Sequence, residues 1–139
     1  MAKQGFATSD RRKVELVPAD KVIAVHDCGT VFVLSADADH AITLPSLAKA
    51  GSGWWCRIVF GVAHGAGNDT VITAATDEVL NGGGYLRFSA DGDEGDTFAA
   101  INANVSITAA GGAQTCHAGD QIELHVADGK WYIEASSTS

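Results

Sequence analysis

Carboxylates in one short loop are the residues of this chain best suited to binding a metal. The loop, Asp91–Asp96, reads DGDEGD, and calcium prefers several oxygen ligands of this kind at short range. The EF-hand pattern, however, needs an acidic or amide residue at its fifth position and glycine at its sixth. Here Gly95 and Asp96 occupy those two positions. We therefore expect a solvated turn, and we predict that the protein has no metal and no cofactor.

Cysteine and histidine form two further groups that suggest zinc, His26 with Cys28 and Cys116 with His117. Structural zinc sites usually take paired ligands from one tight turn. Adjacent residues of a strand, such as Cys116 and His117, point to opposite faces and do not form such a pair. Cysteines more often behave as small apolar side chains, which is the role that we expect here.

Catalytic motifs are missing from the sequence. It contains no G-x-S-x-G nucleophile motif, and its glycine-rich stretches lack the Lys-Ser or Lys-Thr pair of a P-loop. We therefore predict that the protein is not an enzyme.

Two adjacent tryptophans, Trp54 and Trp55, are candidates for binding a partner. Neighbouring residues of a strand face opposite sides, so one of the two indoles lies either on the surface or in an interface. Tryptophan is enriched at the energetic centres of protein interfaces, and exposed indoles also stack on sugars. The alternative is that both faces of this strand are covered within one domain.

The elements that must position these residues are short strands. Alternating runs rich in β-branched residues are separated by clusters of Gly, Asn and Asp, about ten strands in all, and only Pro45–Gly51 suggests a turn or two of helix. This spacing predicts an all-β, single-domain fold, an antiparallel β-sandwich or a jelly-roll-like barrel.

A hairpin is predicted near the C-terminus, over Gly119–Ser137. The Asp128-Gly129 pair between two alternating runs is typical of a type I′ turn, in which both central residues have positive φ. A two-residue loop places Val126 opposite Trp131 and Leu124 opposite Ile133. We expect these four side chains to lie in the core.

Charge divides the chain into a basic start and an acidic remainder. The chain has 139 residues and a net charge of −8, but residues 1–21 carry five basic and three acidic side chains. We therefore predict an N-terminal arm over residues 1–21 and a β-sandwich domain over residues 22–139. The acidic domain argues against nucleic acid and membrane as partners, and the absence of a secretion signal predicts synthesis in a cytoplasm.

The segment from Val31 to Ser137 resembles a module of tailed-phage virion proteins. The resemblance lies in ADADHAITLPSLAKAGSGWWCRIVFGV, then TVITAA, and then the closing GDQIELHVADGKWYIEASS; the stretch NGGGYLRFSADGDEGDTF between them departs from it. Such modules occur as capsid decoration (cement) proteins, often trimeric, and in the distal domains of tail fibres. No catalytic residues are implied.

The resemblance implies a structural virion protein on the capsid surface, with the major capsid protein as its partner and a homotrimer as its assembly. The basic residues Arg11, Arg12 and Lys13 are the expected capsid-binding group, and Trp54 or Trp55 is the expected oligomer contact. The alternative is the receptor- or glycan-binding tip of a phage tail fibre.

Overall fold

The protein is mainly β. The computed structural model describes residues 11–63, 68, 70–84, 106–109 and 117–136. These residues form ten strands, one four-residue α-helix and a 3-10 helix at Val25–Asp27. The strands are β1 (Lys13–Val17), β2 (Lys21–Val22), β3 (Thr30–Leu34), β4 (His40–Thr43), β5 (Trp55–Phe60), β6 (Thr70–Thr73), β7 (Leu80–Gly84), β8 (Ser106–Ala109), β9 (Gln121–Ala127) and β10 (Lys130–Ser136).

From β1 to β9, successive strands alternate between two sheets. Sheet A has the order β1-β3-β5-β9-β10-β7, and sheet B has the order β2-β4-β6-β8. From β1 to β6 the chain therefore winds as a coil, returning to each sheet in the same direction and pairing in parallel. Among the described residues, five of the eight strand pairings are parallel.

The predicted antiparallel arrangement is therefore wrong for most of the fold. A run of alternating residues has the same appearance in a parallel and an antiparallel strand when one face is buried. Direction depends on which earlier strand the chain returns to, and here each return passes through the other sheet. Local sequence carries no signal for that choice.

One hydrophobic core draws on both sheets. Sheet A contributes Phe32, Ile58 and Phe60, and sheet B contributes Ile42 and Ile72, each at most 1% exposed. On β5 the buried residues alternate with half-buried ones, so the core-facing side chains follow the period of two that a strand imposes.

The C-terminal hairpin is confirmed, including its register. Val126 pairs with Trp131 and Leu124 pairs with Ile133, and all four side chains are at most 5% exposed. The φ angles of Asp128 and Gly129 are 51° and 65°. Both are positive, as a type I′ turn requires.

The predicted N-terminal arm is wrong over its second half. Strand β1 pairs with β3 along its whole length, β2 pairs with β4, and Val17 is 3% exposed. Strands β1 and β2 therefore belong to the two sheets through backbone pairing, and of their apolar residues Val17 is the one that joins the core. Residues 1–10 lie outside the described part of the chain.

The helix expected within Pro45–Gly51 is present as α1 (Leu47–Ala50). Ser46 is its N-cap and Gly51, with a φ of 75°, is its C-cap. A carboxylate oxygen of Glu78 accepts a hydrogen bond of 2.8 Å from the backbone N–H of Leu47. Within the described residues, no helix is long and apolar enough to cross a membrane.

Candidate functional site

The outer face of sheet A carries a strip of five aliphatic side chains, two of them exposed and three half-buried. Strand register places Val14 beside Val31, and it places Leu16, Val33 and Val59 in the next row. Val14 is 63% exposed and Leu16 is 66% exposed. We call these five residues the aliphatic strip. It lies at the β1 edge of the sheet, where no further strand among the described residues covers it.

Next to this strip, the same face contains an open groove of about 650 Å³. Its principal side chains are Arg12, Trp55, Arg57, His125 and Asp128. We call this region the aromatic groove. Ser52 and Gly53, from the turn after α1, and Glu123 on β9 complete much of its lining. The groove thus brings together the start of β1, the strand β5 and the hairpin.

The two adjacent tryptophans face opposite sides of β5, as predicted. Trp54 is 3% exposed and packs edge-to-face on Trp131, with ring centroids 5.5 Å apart. Its indole N–H donates a hydrogen bond of 2.9 Å to the carbonyl of Val25. Trp54 is therefore a core residue, which corrects its assignment as an oligomer contact, and only Trp55 remains a candidate.

Trp55 is half-buried and held in place by its neighbours. The backbone N–H of Gly29 donates a hydrogen bond of 2.7 Å to the Trp55 carbonyl. A Cβ atom on Gly29 would lie 3.8 Å from Cζ2 of the Trp55 indole, so the Gly29 backbone packs close to one part of the ring. The Gly29 backbone thus contacts Trp55 at both its carbonyl and its ring.

An ion pair separates the aromatic groove from a second, smaller pocket. Arg57 donates a hydrogen bond of 2.7 Å to Glu123, its directly opposite residue on β9. Both side chains also line a polar pocket of about 220 Å³, together with Gln121, Glu134 and Ser136. The ion pair thus forms the boundary between two neighbouring cavities on one face.

A second aromatic pair continues the row beyond Trp55. Register places Trp55 opposite His125, and His125 opposite Tyr132. The His125 and Tyr132 rings stack with centroids 5.5 Å apart and planes inclined by 19°. The alternation of the hairpin sequence predicts that His125 and Tyr132 lie together on its solvent-facing side. The sequence gives no signal that Trp55 joins them, because β5 and β9 lie far apart in the chain.

The three basic residues predicted to bind a capsid are all exposed, and they differ in their local contacts. Arg11 and Arg12 are exposed, and Arg12 lines the aromatic groove. Lys13 pairs with the buried Thr30 and donates a hydrogen bond of 3.3 Å to the carbonyl of Cys28. Lys13 therefore forms a hydrogen bond within its own protein at the edge of sheet A.

Of the cysteines among the described residues, Cys28 is half-buried and Cys56 is buried, and both are free thiols. Cys56 is fully buried, and burial raises the pKa of its thiol, which keeps it protonated and unreactive. Within the part of the chain that the structure describes, no three His, Cys, Asp or Glu side chains are grouped to hold a metal. Cys116 and the Asp91–Asp96 loop lie outside the described residues.

Compared with models of known protein families, with curated proteins and with solved structures, the chain shows no match. A functional assignment therefore depends on the physical properties of the outer face of sheet A.

Proposed function

We propose that this protein is a structural virion protein that binds the outer surface of a phage capsid as a trimeric decoration protein. The observation that carries the proposal is the aliphatic strip. Contiguous apolar surface at a sheet edge is typical of a protein interface, whereas isolated exposed apolar residues need no explanation. The sequence resemblance to phage virion modules supports the same conclusion.

The two-sheet fold is suited to a structural subunit of a larger assembly. We infer that sheets A and B pack face to face as a sandwich, because the inner faces of both contribute to one core. Such a body presents rigid faces, and rigid faces limit the conformational entropy lost on binding.

Exposed positive charge extends the contact surface beyond the strip. Arg11 and Arg12 are exposed next to β1 and supply positive charge towards an acidic shell.

The proposal is tested by pelleting undecorated capsids with purified protein. The double substitution Val14→Ser with Leu16→Ser should lower capsid retention at least tenfold, because it removes the apolar centre of the contact. Val22→Ser is the matched control, since Val22 is 74% exposed but lies on β2, in the other sheet. Equal retention of the double variant and the control would contradict the role of the strip.

The basic residues are tested separately. Replacing Arg11 and Arg12 with Ser should weaken retention and reduce its dependence on salt, because exposed charge pairs are screened over a Debye length of about 8 Å at physiological ionic strength. A variant lacking residues 2–10 keeps both arginines and all of β1, so it tests whether the preceding segment contributes. A salt dependence unchanged by the arginine substitutions would show that they are not part of the contact.

The second candidate function is a receptor- or glycan-binding tip of a tail fibre. The aromatic groove favours it, because a supported indole in an open groove is a binding feature. Failure of the unmodified protein to pellet with capsids, combined with adhesion to host cells, would replace the first proposal with the second.

A further inference from the structure

We infer that the aromatic groove is a binding site for a neutral oligosaccharide, whichever part of the virion holds the protein. The first reason is the solvent exposure of Trp55 compared with that of the other two tryptophans. Trp54 and Trp131 are 3% and 0% exposed, whereas Trp55 is half-buried at a cavity of about 650 Å³. An indole in such a cavity offers a flat apolar surface of the kind on which the C–H face of a sugar ring packs.

The second reason is the set of polar groups around the indole. Arg12 and Asp128 line the groove, and neither forms a hydrogen bond or ion pair with any other residue that the structure describes. A guanidinium donates hydrogen bonds and a carboxylate accepts them. Hydroxyl groups do both, so a polyhydroxylated ligand can satisfy Arg12 and Asp128 at the same time.

The third reason concerns charge, and it separates neutral sugars from acidic ones. Arg57 is already held by Glu123 at 2.7 Å, so it is not available to bind a ligand carboxylate or sulfate on its own. Arg12 and Asp128, which have no partner among the described residues, bring opposite charges to the same groove. With a chain net charge of −8, long-range electrostatics also disfavour a polyanion.

The size of the ligand follows from the neighbouring pocket. Arg57 and Glu123 line both cavities, and the second one adds the polar side chains of Gln121, Glu134 and Ser136. A chain of several sugar units can therefore stack one ring on Trp55 and place the next ones over the ion pair and into the polar pocket. A monosaccharide contacts only one of these regions, so it should bind more weakly.

The experiment uses the full chain and the fluorescence of its tryptophans. Acrylamide should quench Trp55 and leave the two buried indoles largely unaffected. Maltohexaose, mannohexaose and chitohexaose are the neutral probes, and hexagalacturonate is the acidic one. At least one neutral hexasaccharide should protect Trp55 from acrylamide, whereas hexagalacturonate should not. Protection by none of the neutral probes, or by hexagalacturonate alone, would overturn the inference.

Substitutions locate the binding by calorimetry. Trp55→Ala should weaken the affinity about tenfold or more, as loss of a stacking ring does in nucleic-acid sites, and Trp55→Phe should restore part of it. Asp128→Asn should also weaken binding while keeping the turn, because asparagine tolerates positive φ. Unchanged affinity in both Trp55→Ala and Asp128→Asn would place the sugar elsewhere.

Val14→Ser is the control that separates this inference from the capsid proposal. It alters the aliphatic strip and leaves the aromatic groove intact, so it should bind the hexasaccharide as the unmodified protein does. Loss of capsid binding with retained sugar binding contradicts neither proposal, whereas a Val14→Ser variant that folds but loses the sugar would show that the groove is not the site.

Discussion

The hairpin of β9 and β10 and the first strand of the coil, β1, belong to the same sheet but meet solvent differently. In the hairpin, Leu124 and Trp131 are both 0% exposed. On β1, Val14 and Leu16 are 63% and 66% exposed. The hairpin lies between β5 and β7, whereas β1 is an edge strand. Leu124 and Trp131 face the core, whereas Val14 and Leu16 lie on the outer face of an edge strand, so sheet face and strand position together decide which apolar residues stabilise the fold and which remain available to a partner.

The two regions also differ in what fixes their geometry. The hairpin depends on backbone conformation at one turn, where Asp128 and Gly129 both have positive φ. The coil depends on close approach between strands, since Gly61 donates a hydrogen bond of 2.9 Å to the carbonyl of Leu34 across β3 and β5. Four substitutions test this comparison.

The largest effect is expected from Trp131→Ala in the hairpin. Trp131 is 0% exposed, packs on Trp54 and donates a hydrogen bond of 3.3 Å to Glu78. Its removal should lower the free energy of unfolding by about 3–5 kcal/mol, as for other buried aromatic residues. Urea denaturation measures this. Leu16→Ala on the edge strand is the control and should change stability by about 0.5 kcal/mol or less. Similar losses in both variants would contradict the contrast between the two regions.

In the coil, Gly61→Ala should destabilise the protein by crowding. The added Cβ would lie 2.7 Å from Cγ1 of Val33 and 2.9 Å from the Leu34 carbonyl oxygen. Overpacking of this kind typically costs about 1–3 kcal/mol, measurable by urea denaturation. Adding Val33→Ala should restore only part of the loss, because the backbone contact with Leu34 remains. Full stability in Gly61→Ala would show that β3 and β5 separate easily at this point.

At the hairpin turn, Gly129→Ala should cost less and for another reason. Gly129 has a φ of 65° and no atom within 4 Å of an added Cβ, so the cost is conformational. A residue with a Cβ atom in the left-handed backbone region costs about 1–2 kcal/mol of stability. Gly129→Asn is the matched control and should be nearly neutral, since asparagine adopts positive φ more readily. Equal thermal stability of the Ala and Asn variants would show that the turn has changed type.

The smallest change in the free energy of unfolding is expected from Lys21→Gln, which removes the ion pair between Lys21 on β2 and Glu15 on β1. Lys21 donates a hydrogen bond of 2.7 Å to Glu15, and its side chain is 23% exposed. This bond, with the charges of Glu15 and Asp27, raises the pKa of Lys21 above its ordinary value of 10.5. Lys21→Gln should therefore cost only about 0.2–1 kcal/mol at neutral pH.

The pH dependence of that difference has a definite sign. A raised pKa in the folded state gives a stabilisation that is complete below 10.5 and is lost as pH rises through the folded value. Denaturation should be measured at neutral pH and above 10.5. The difference in the free energy of unfolding between Lys21→Gln and the unmodified protein should be smaller at the higher pH. Lys49→Gln, on the exposed side of α1, should show no such gap at either pH. A gap that widens with pH would contradict the assigned ion pair.

Sequence patterns predicted the elements better than their arrangement. The Asp128-Gly129 turn specifies a two-residue loop, so the register of β9 with β10 followed from local chemistry alone. The alternation on β5 likewise predicted that Trp54 and Trp55 face opposite sides. It did not predict which of the two is buried, because that depends on Trp131 packing against Trp54.

The sequence by itself determined that this protein is mainly β, that it ends in a hairpin and that its apolar side chains alternate. Those properties depend on interactions between residues a few positions apart. Only the tertiary structure decided that most strands pair in parallel, that residues 13–22 belong to the sheets, and that Arg12, Trp55 and Asp128 line one groove. These outcomes depend on which distant strands become neighbours, and the free energy that selects them comes from the shared core rather than from any local pattern.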